Sequence, residues 1–195
     1  MKKLSYVLMI AAGALTFQSC NHGAKDAKES ADSLNKTKDT TANAAATGGI
    51  AVNSDDAKFA TAAANGGMAE VEFAKLALTK TSNAQIKDFA NMMVTDHGKA
   101  NDTLAAIAKT KNITLPTMCD SATMKKMDDV GKKTGADFDK AYVDAMIGGH
   151  KKALTLMQDE AKNGTDPQLK AFAAKVAPTV QMHLDAINKI HDSMK

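Results

Sequence analysis

The stretch that decides the fold is NAQIKDFANMMVTDHGKANDTLAAIAK, residues 83–109, near the middle of the chain. Its apolar residues recur at three- and four-residue intervals, as they do along one face of an α-helix. Ser82 or Asn83 is suited to cap the start of that helix, and Leu115-Pro116 cannot continue it. His97 stands at the centre of the apolar face, where the period favours a leucine. The stretch therefore predicts a long amphipathic helix with an imidazole pointing inward.

Three other segments have the same helical period. The first runs from Ser54-Asp55, as N-cap candidates, to about Thr79, and the others run from Gly135 to Asn163-Gly164 and from Asp166-Pro167 to Met194. A shorter amphipathic piece covers residues 120–133. No alternating strand pattern competes with these helices. We predict an all-α protein, an antiparallel four-helix bundle with a short extra helix in the crossover between long helices two and three. Pro178 should face outward from the last helix.

The N-terminal residues 1–19, MKKLSYVLMIAAGALTFQS, have the two lysines and the apolar run of an export signal. The sequence FQSC, residues 17–20 across the end of this region, resembles the lipobox of bacterial lipoproteins, which predicts cleavage before a lipidated Cys20. We therefore expect an exported lipoprotein, anchored to a membrane through Cys20, at the outer membrane or the periplasmic face. Ordinary cleavage followed by release is the alternative. Residues 20–53 would form a disordered tether, and residues 54–195 the folded domain.

Net charge, cysteine count and missing sequence motifs argue against several classes of function. The formal net charge of +3 becomes +1 once Lys2 and Lys3 leave with the signal, so no basic excess remains for nucleic acid. With Cys20 assigned to the lipid, Cys119 has no partner for an intrachain disulfide. No nucleophile triad, P-loop or dinucleotide-binding pattern appears, and we do not expect an enzyme.

Four polar residues interrupt the apolar faces of the four predicted long helices. Helical periodicity places Glu70 inward on the first, His97 on the second, His150 near the edge of the face on the third, and His183 on the fourth. Each lies roughly 14 to 16 residues from the start of its helix, which is about 21 to 24 Å along the axis. Because mid-helix positions meet in an antiparallel bundle, we expect these side chains in one layer of the core.

Such a layer can be satisfied in two ways. The imidazoles and the Glu70 carboxylate can bind one transition-metal ion, Zn, Fe or Cu. Alternatively they can form a metal-free hydrogen-bond network that includes the hydroxyl of Tyr142. In either case Asp96 and Asp185, next to the apolar faces, could hold the rings.

The di-iron pattern of ferritin-type proteins requires Glu-x-x-His on two helices. Val94, Ile147 and Val180 stand three residues before the three histidines, so that pattern is absent. A site for a single ion is the better metal hypothesis. Nearby, the pair Gly66-Gly67 lies inside a predicted helix, where each glycine costs roughly 1 kcal/mol relative to alanine. This pair suggests a close helix approach or a local bend beside Glu70.

Four segments together resemble a known bacterial family. They are GGMAEVEFAKLAL (66–78), NAQIKDFANMMVTDHGKAND (83–102), FDKAYVDAMIGGHKKAL (138–154) and DPQLKAFAAKVAPTVQMHL (166–184). The family is domain of unknown function 4142. The resemblance implies a ferritin-like four-helix fold and an exported protein, often a lipoprotein. The segments contain the candidate metal ligands and supporting residues: Glu70, Glu72, Asp96, His97, Tyr142, His150 and His183.

Two functional hypotheses remain open from the sequence, and a third, a ferritin-like oxidase, is weakened by the missing Glu-x-x-His pattern. One is an exported lipoprotein that binds a transition metal in its helical core, for envelope metal handling or stress protection. The other is a structural or interaction module, in which a metal-free polar layer fixes helix register and the outer faces bind an envelope protein. The behaviour of the polar layer toward a metal chelator separates the two.

Overall fold

A computed structural model describes residues 26–38 and 52–194 of the chain. Within these residues the protein is all-α: six helices pack against one another and no strand occurs. The predicted signal peptide and Cys20 lie outside the described residues. The helices are α1 Ala27–Lys38, α2 Ser54–Lys80, α3 Ala84–Thr110, α4 Ser121–Gly131, α5 Gly135–Asn163 and α6 Pro167–Ser193.

Helices α2, α3, α5 and α6 are the four long helices predicted from the sequence, and side chains cap the starts of α2, α3 and α6. Asn83 Oδ1 accepts hydrogen bonds from the backbone N–H groups of the first turn of α3, and Asp166 does the same for α6. For α2 the predicted caps Ser54-Asp55 are wrong by one residue. Asn53 Oδ1 accepts from the backbone N–H groups of Asp55 and Asp56, so the helix begins at Ser54 itself.

The connection between α3 and α5 contains the predicted short helix. Asp120 caps this helix, α4, by accepting a hydrogen bond from the backbone N–H of Thr123. Pro178, inside α6, is exposed as expected. No helix within 26–38 or 52–194 has the length and apolar character needed to cross a bilayer.

The long helices pack in pairs: α2 lies along α3 and α5 lies along α6, while α2 also contacts α5 and α3 contacts α6. The buried apolar residues form two clusters, one around Phe89, Phe138 and Ile187 and the other around Leu104 and Leu169. Along α2 and α6 the chain passes from the second cluster to the first, and along α3 and α5 it passes in the opposite order. The polar layer lies between the two clusters.

Part of the predicted tether is helical. Helix α1 lies within residues 20–53 and packs against α2, so the prediction of a disordered segment is wrong for residues 27–38. The Asn35 side chain explains the difference. Its Nδ2 donates to the carbonyl of Thr114 at 2.8 Å, and its Oδ1 accepts from the Thr114 N–H at 2.7 Å. These tertiary hydrogen bonds order a segment whose composition alone would not fold.

The glycine pair in α2 marks a close approach at one of its two positions. A Cβ on Gly67 would lie 2.0 Å from Asn101 Oδ1 on α3, so only glycine fits against that side chain as it stands. A Cβ on Gly66 would meet no atom within 4 Å. The prediction of close packing beside Glu70 is thus confirmed for Gly67 alone.

Candidate metal centre

Three histidines from three helices meet between the two apolar clusters. His97 comes from α3, His150 from α5 and His183 from α6, and all three are buried. Their ring centroids are 5.1 to 5.6 Å apart. One ring nitrogen of each histidine lies within 4.8 Å of those of the other two. Each residue sits near the middle of a long helix, which places the rings at a common level.

The ring of His97 is held by Glu70. Glu70 Oε2 lies 2.9 Å from His97 Nδ1, and both side chains are buried. Burial raises the pKa of the Glu70 carboxyl, but the neighbouring histidines, His97 first, outweigh burial, and the pKa lies below its ordinary value. Glu70 is therefore a carboxylate, which only accepts hydrogen bonds, and the proton of this contact belongs to His97 Nδ1.

The ring of His183 is held by Asp96, which neighbours His97 in sequence. Asp96 Oδ2 lies 3.0 Å from His183 Nε2, so the carboxylate accepts the hydrogen bond and Nε2 carries the proton. The pKa of His183 is lowered to about 4, mainly by burial and in part by His97 and His150, against the opposing effect of the Asp96 hydrogen bond. The imidazole of His183 is thus neutral at physiological pH.

The ring of His150 is held by backbone. His150 Nδ1 lies 2.9 Å from the carbonyl oxygen of Met146 and 3.5 Å from Glu70 Oε1, both of which are acceptors. The proton of this ring is therefore on Nδ1. Burial lowers the pKa of His150, and the Glu70 carboxylate only partly offsets that effect. No residue within 26–38 or 52–194 hydrogen-bonds to His150 Nε2, although this atom is buried.

These contacts fix which nitrogens are free to bind a cation. With the protons on His97 Nδ1, His183 Nε2 and His150 Nδ1, the lone pairs lie on the other nitrogen of each ring. Two of them, His97 Nε2 and His183 Nδ1, are 3.2 Å apart. Facing lone pairs repel unless a proton or a metal ion lies between them. Three imidazoles, each oriented by an acceptor on its opposite side, form the arrangement that transition-metal sites use.

Apolar groups and two cavities surround the histidines. The Phe89 ring packs against His150 and His183, with centroids 5.9 and 6.5 Å away. A cavity of about 490 Å³ borders His97 and Glu70 and is lined largely by α2 and α5. A second cavity of about 340 Å³ borders His97 and His183 between α3 and α6. The Phe89 ring therefore shields His150 and His183, while His97 borders both cavities and His183 borders the second.

Several residues predicted for this site lie elsewhere or contact no histidine. Glu72 pairs with Lys75 at 2.8 Å, and exposed Asp185 accepts a hydrogen bond from Gln181. Each is two residues from a site residue, a rotation of about 200° around the helix, so it faces away. Tyr142 is buried, but in the described part of the chain its hydroxyl has no hydrogen-bond partner.

The distribution of roles at the site also differs from the sequence prediction. Glu70, predicted to be a ligand, hydrogen-bonds to His97 and is outside the group of residues with convergent donor atoms. The Met146 carbonyl was missed, because a backbone acceptor four residues before a histidine leaves no mark in residue type. The i to i−4 spacing of a helix is the one signal that could have pointed to it.

Comparison with known proteins identifies the family of the chain. No curated protein and no solved structure matches it. A family description matches residues 39–190, a range that includes every residue of the histidine cluster and the carboxylates that hold it. The chain therefore belongs to the family described as Domain of unknown function (DUF4142).

Proposed function

We propose that the protein binds one transition-metal ion through His97 Nε2, His150 Nε2 and His183 Nδ1. The observation that carries this proposal is the buried Nε2 of His150, an acceptor with no donor among the described residues. A buried polar atom without a partner is unfavourable by about 1–3 kcal/mol. A metal ion at the convergence of the three rings satisfies that atom and relieves the repulsion between the other two lone pairs.

The spacing of the donors supports a metal ion. Two imidazole nitrogens bound tetrahedrally at 2.0–2.1 Å from one Zn²⁺ would be separated by about 3.3 Å. His97 Nε2 and His183 Nδ1 are separated by 3.2 Å. Three neutral nitrogen donors suit Zn²⁺ or Cu²⁺ and are also compatible with Fe²⁺. Glu70, Asp96 and the Met146 carbonyl then act from behind the rings, where they fix orientation and raise the basicity of the donors.

The same proposal includes the wider architecture and location. We infer that α2, α3, α5 and α6 form a ferritin-like antiparallel four-helix bundle, an inference supported by the reversed order of the two apolar clusters within the packed pairs α2–α3 and α5–α6. We further propose export and lipidation at Cys20, so that the metal is handled or sequestered in the cell envelope. Cys20→Ser should move the protein from the membrane fraction to the soluble fraction; unchanged fractionation would contradict the anchor.

A metal-free role is the alternative, and one contact favours it. Glu70, His97, His183 and Asp96 form a continuous chain of hydrogen-bond distances of 2.9, 3.2 and 3.0 Å. A single extra proton between the two rings would complete that chain and make the layer a structural device that fixes helix register in an envelope interaction module. This arrangement leaves His150 Nε2 without a partner, which is why we place it second.

Metal titration of His150→Ala tests the proposal. Wild-type protein freed of metal by a chelator should bind one equivalent of Zn²⁺ or Cu²⁺ in calorimetry, and its melting temperature should rise, because an ion that binds only the folded state stabilises it. His150→Ala should lose most of that rise. His191, half-exposed on α6 beside Asp144 and outside the cluster, provides the matched control His191→Ala. No metal-dependent change in wild-type melting would leave the metal-free role.

A further inference from the structure

The cavity of about 490 Å³ beside His97 and Glu70 contains glycines that packing does not require. Gly66 on α2 and Gly148 on α5 both line it, and both lie inside long helices. A Cβ added to either residue would meet no atom within 4 Å. Glycine weakens a helix interior relative to alanine, and no close helix approach explains these two positions. The absence of a side chain at these two positions adds volume to the cavity.

The walls of this cavity are mainly apolar. Phe73, Leu104, Met157 and Phe172 contribute, with several alanines between them. A volume of this size is typical of sites that bind small molecules, which combine apolar walls with a few polar groups. The occupant that fits such walls has a hydrocarbon body.

Charge at the cavity indicates which polar group this occupant has. Lys126 on α4 and Lys152 on α5 line the cavity, are exposed, and form no ion pair with any residue in the described ranges. The acidic residues that line it are already engaged: Glu70 by His97, and Asp120 by the Thr123 N–H and the Asn65 amide. The two lysines are therefore the charges available to a ligand.

A metal ion on the histidines would increase this bias. The charged groups at the cavity are two lysines and two carboxylates, which balance. A divalent ion bound by His97, which also lines the cavity, makes the surroundings positive by two charges. An ion bound by three histidines also keeps a coordination position open for a further ligand. Both effects favour a negatively charged group.

We propose that this cavity binds a small amphipathic organic anion, an aliphatic or aromatic carboxylate, with its apolar body between α2 and α5 and its charge toward Lys126 and Lys152. The preference for a negative charge is strengthened by the metal ion and in that respect rests on the proposed function. The cavity, the two glycines that packing does not require and the two lysines do not depend on the ion.

Calorimetry with octanoate as the probe tests the proposal on the purified full chain, with Zn²⁺ and with chelator. Octanoate should bind saturably at one per chain, more tightly with Zn²⁺. Octylammonium, with the same chain length and the opposite charge, should bind at least about tenfold more weakly, because the like charges of the lysines and the ion repel it. Equal binding of the two probes would overturn the recognition of an anion.

Leucine substitutions at the glycines locate the binding. Gly66→Leu and Gly148→Leu each fill part of the cavity and should weaken octanoate binding about tenfold, the effect of about two methylene groups left unburied. Gly98→Leu is the matched control, because Gly98 is also inside a long helix and free of contacts at Cβ but does not line the cavity. Octanoate affinity that is unchanged in Gly66→Leu and Gly148→Leu would overturn the proposal.

Lysine substitutions provide a second, independent measurement. Lys152→Gln should weaken octanoate binding about threefold, in the range of a solvent-exposed ion pair. Lys151→Gln, its exposed neighbour outside the cavity, should not. A Zn²⁺ titration of the same samples separates the two hypotheses. Zn²⁺ binding without octanoate binding overturns this inference alone, whereas octanoate binding without Zn²⁺ binding supports the cavity and contradicts the metal site.

Discussion

His183 Nδ1 lies 3.2 Å from His97 Nε2, while the other nitrogen of each ring contacts a carboxylate. The carboxylates Asp96 and Glu70 require protons on the nitrogens that face them, so the two facing nitrogens are both proton acceptors. Each carboxylate thus leaves an unprotonated lone pair on the ring nitrogen that faces the interior of the protein. The chemistry of the layer depends on what lies between these two atoms.

The first prediction concerns the acid stability of metal-free protein. The pKa of buried His183 is lowered to about 4 from the ordinary 6.5. The unfolded chain therefore binds more protons between these values, and the stability present above pH 6.5 is lost as pH falls toward 4. We expect this histidine to contribute a loss of about 2 kcal/mol in the free energy of unfolding between pH 7 and pH 5.

His183→Gln provides the comparison, because glutamine can still donate to Asp96 but does not titrate. Urea unfolding in the presence of chelator, at pH 7 and at pH 5, measures how much free energy of unfolding each protein loses between the two pH values. The groups that face His183 are Asp96, His97 and His150, and they remain in both proteins. Identical losses of stability in wild type and variant would contradict the prediction.

The sequence predicted the five helices from α2 to α6 because their apolar periods are long and their caps are local signals. It also brought Glu70, His97, His150 and His183 to one level, because counting residues along antiparallel helices requires no knowledge of packing. The ordering of α1 could not be predicted. It depends on hydrogen bonds from Asn35 to a loop 79 residues away, and composition carries no information about such contacts.

Helical periodicity also could not predict the roles of individual residues at the site. Asp96 and Asp185 both stand close in sequence to an inward-facing histidine, Asp96 one residue from His97 and Asp185 two residues from His183. Asp96 reaches a ring on another helix, while Asp185 bonds to Gln181 on its own helix surface. Whether an aspartate reaches a histidine on another helix depends on the distance between neighbouring helices. The cavity that separates α2 from α5 beside Glu70 is likewise a property of packing, although the glycines that line it are visible in the sequence.

A second prediction concerns the buried ion pair at the end of α3. Lys111 Nζ lies 2.5 Å from Asp166 Oδ2, with both side chains buried. Removing one partner leaves an uncompensated buried charge, so Lys111→Met should lower the free energy of unfolding by about 3–5 kcal/mol. Adding Asp166→Asn should recover much of this loss, because asparagine retains the cap of α6 without the charge. Chemical denaturation of the two variants measures the difference.

The control for this ion pair is Lys125→Met, which breaks the exposed pair with Asp129. It should leave the denaturation midpoint unchanged within error, because water screens exposed pairs. If the double variant were no more stable than Lys111→Met alone, the loss would come from packing of the lysine stem instead of its charge.

A third prediction concerns the attachment of α1. Asn35→Ala removes both hydrogen bonds to Thr114 from a buried position and should weaken the docking of α1 by about 1–3 kcal/mol. Amide hydrogen exchange should then accelerate in residues 27–38 and leave α5 unaffected, because only the docked helix opens. Lys36→Ala, on the exposed side of α1, is the control and should preserve protection. Unchanged exchange in Asn35→Ala would mean that other contacts hold the helix.

A fourth prediction concerns Glu160 near the end of α5. The pKa of its carboxyl is raised to about 7, mainly by burial and in part by the negative charges of Asp56 and Asp166. The folded state therefore favours protonated Glu160. The stability this gives is complete below the unfolded pKa of 4.5 and is lost as pH rises through 7.

Glu160→Gln keeps the shape and a donor for Asp56 while removing the charge. It should raise the free energy of unfolding by about 1–2 kcal/mol at pH 8, a figure discounted because the adjoining cavity admits solvent, and should change it little at pH 5. Glu72→Gln, at an exposed glutamate on α2, should have no effect at either pH. Thermal melts at the two pH values measure the difference. An equal gain at both would show that the side-chain amide stabilises through its hydrogen bond, with no contribution from relief of charge repulsion.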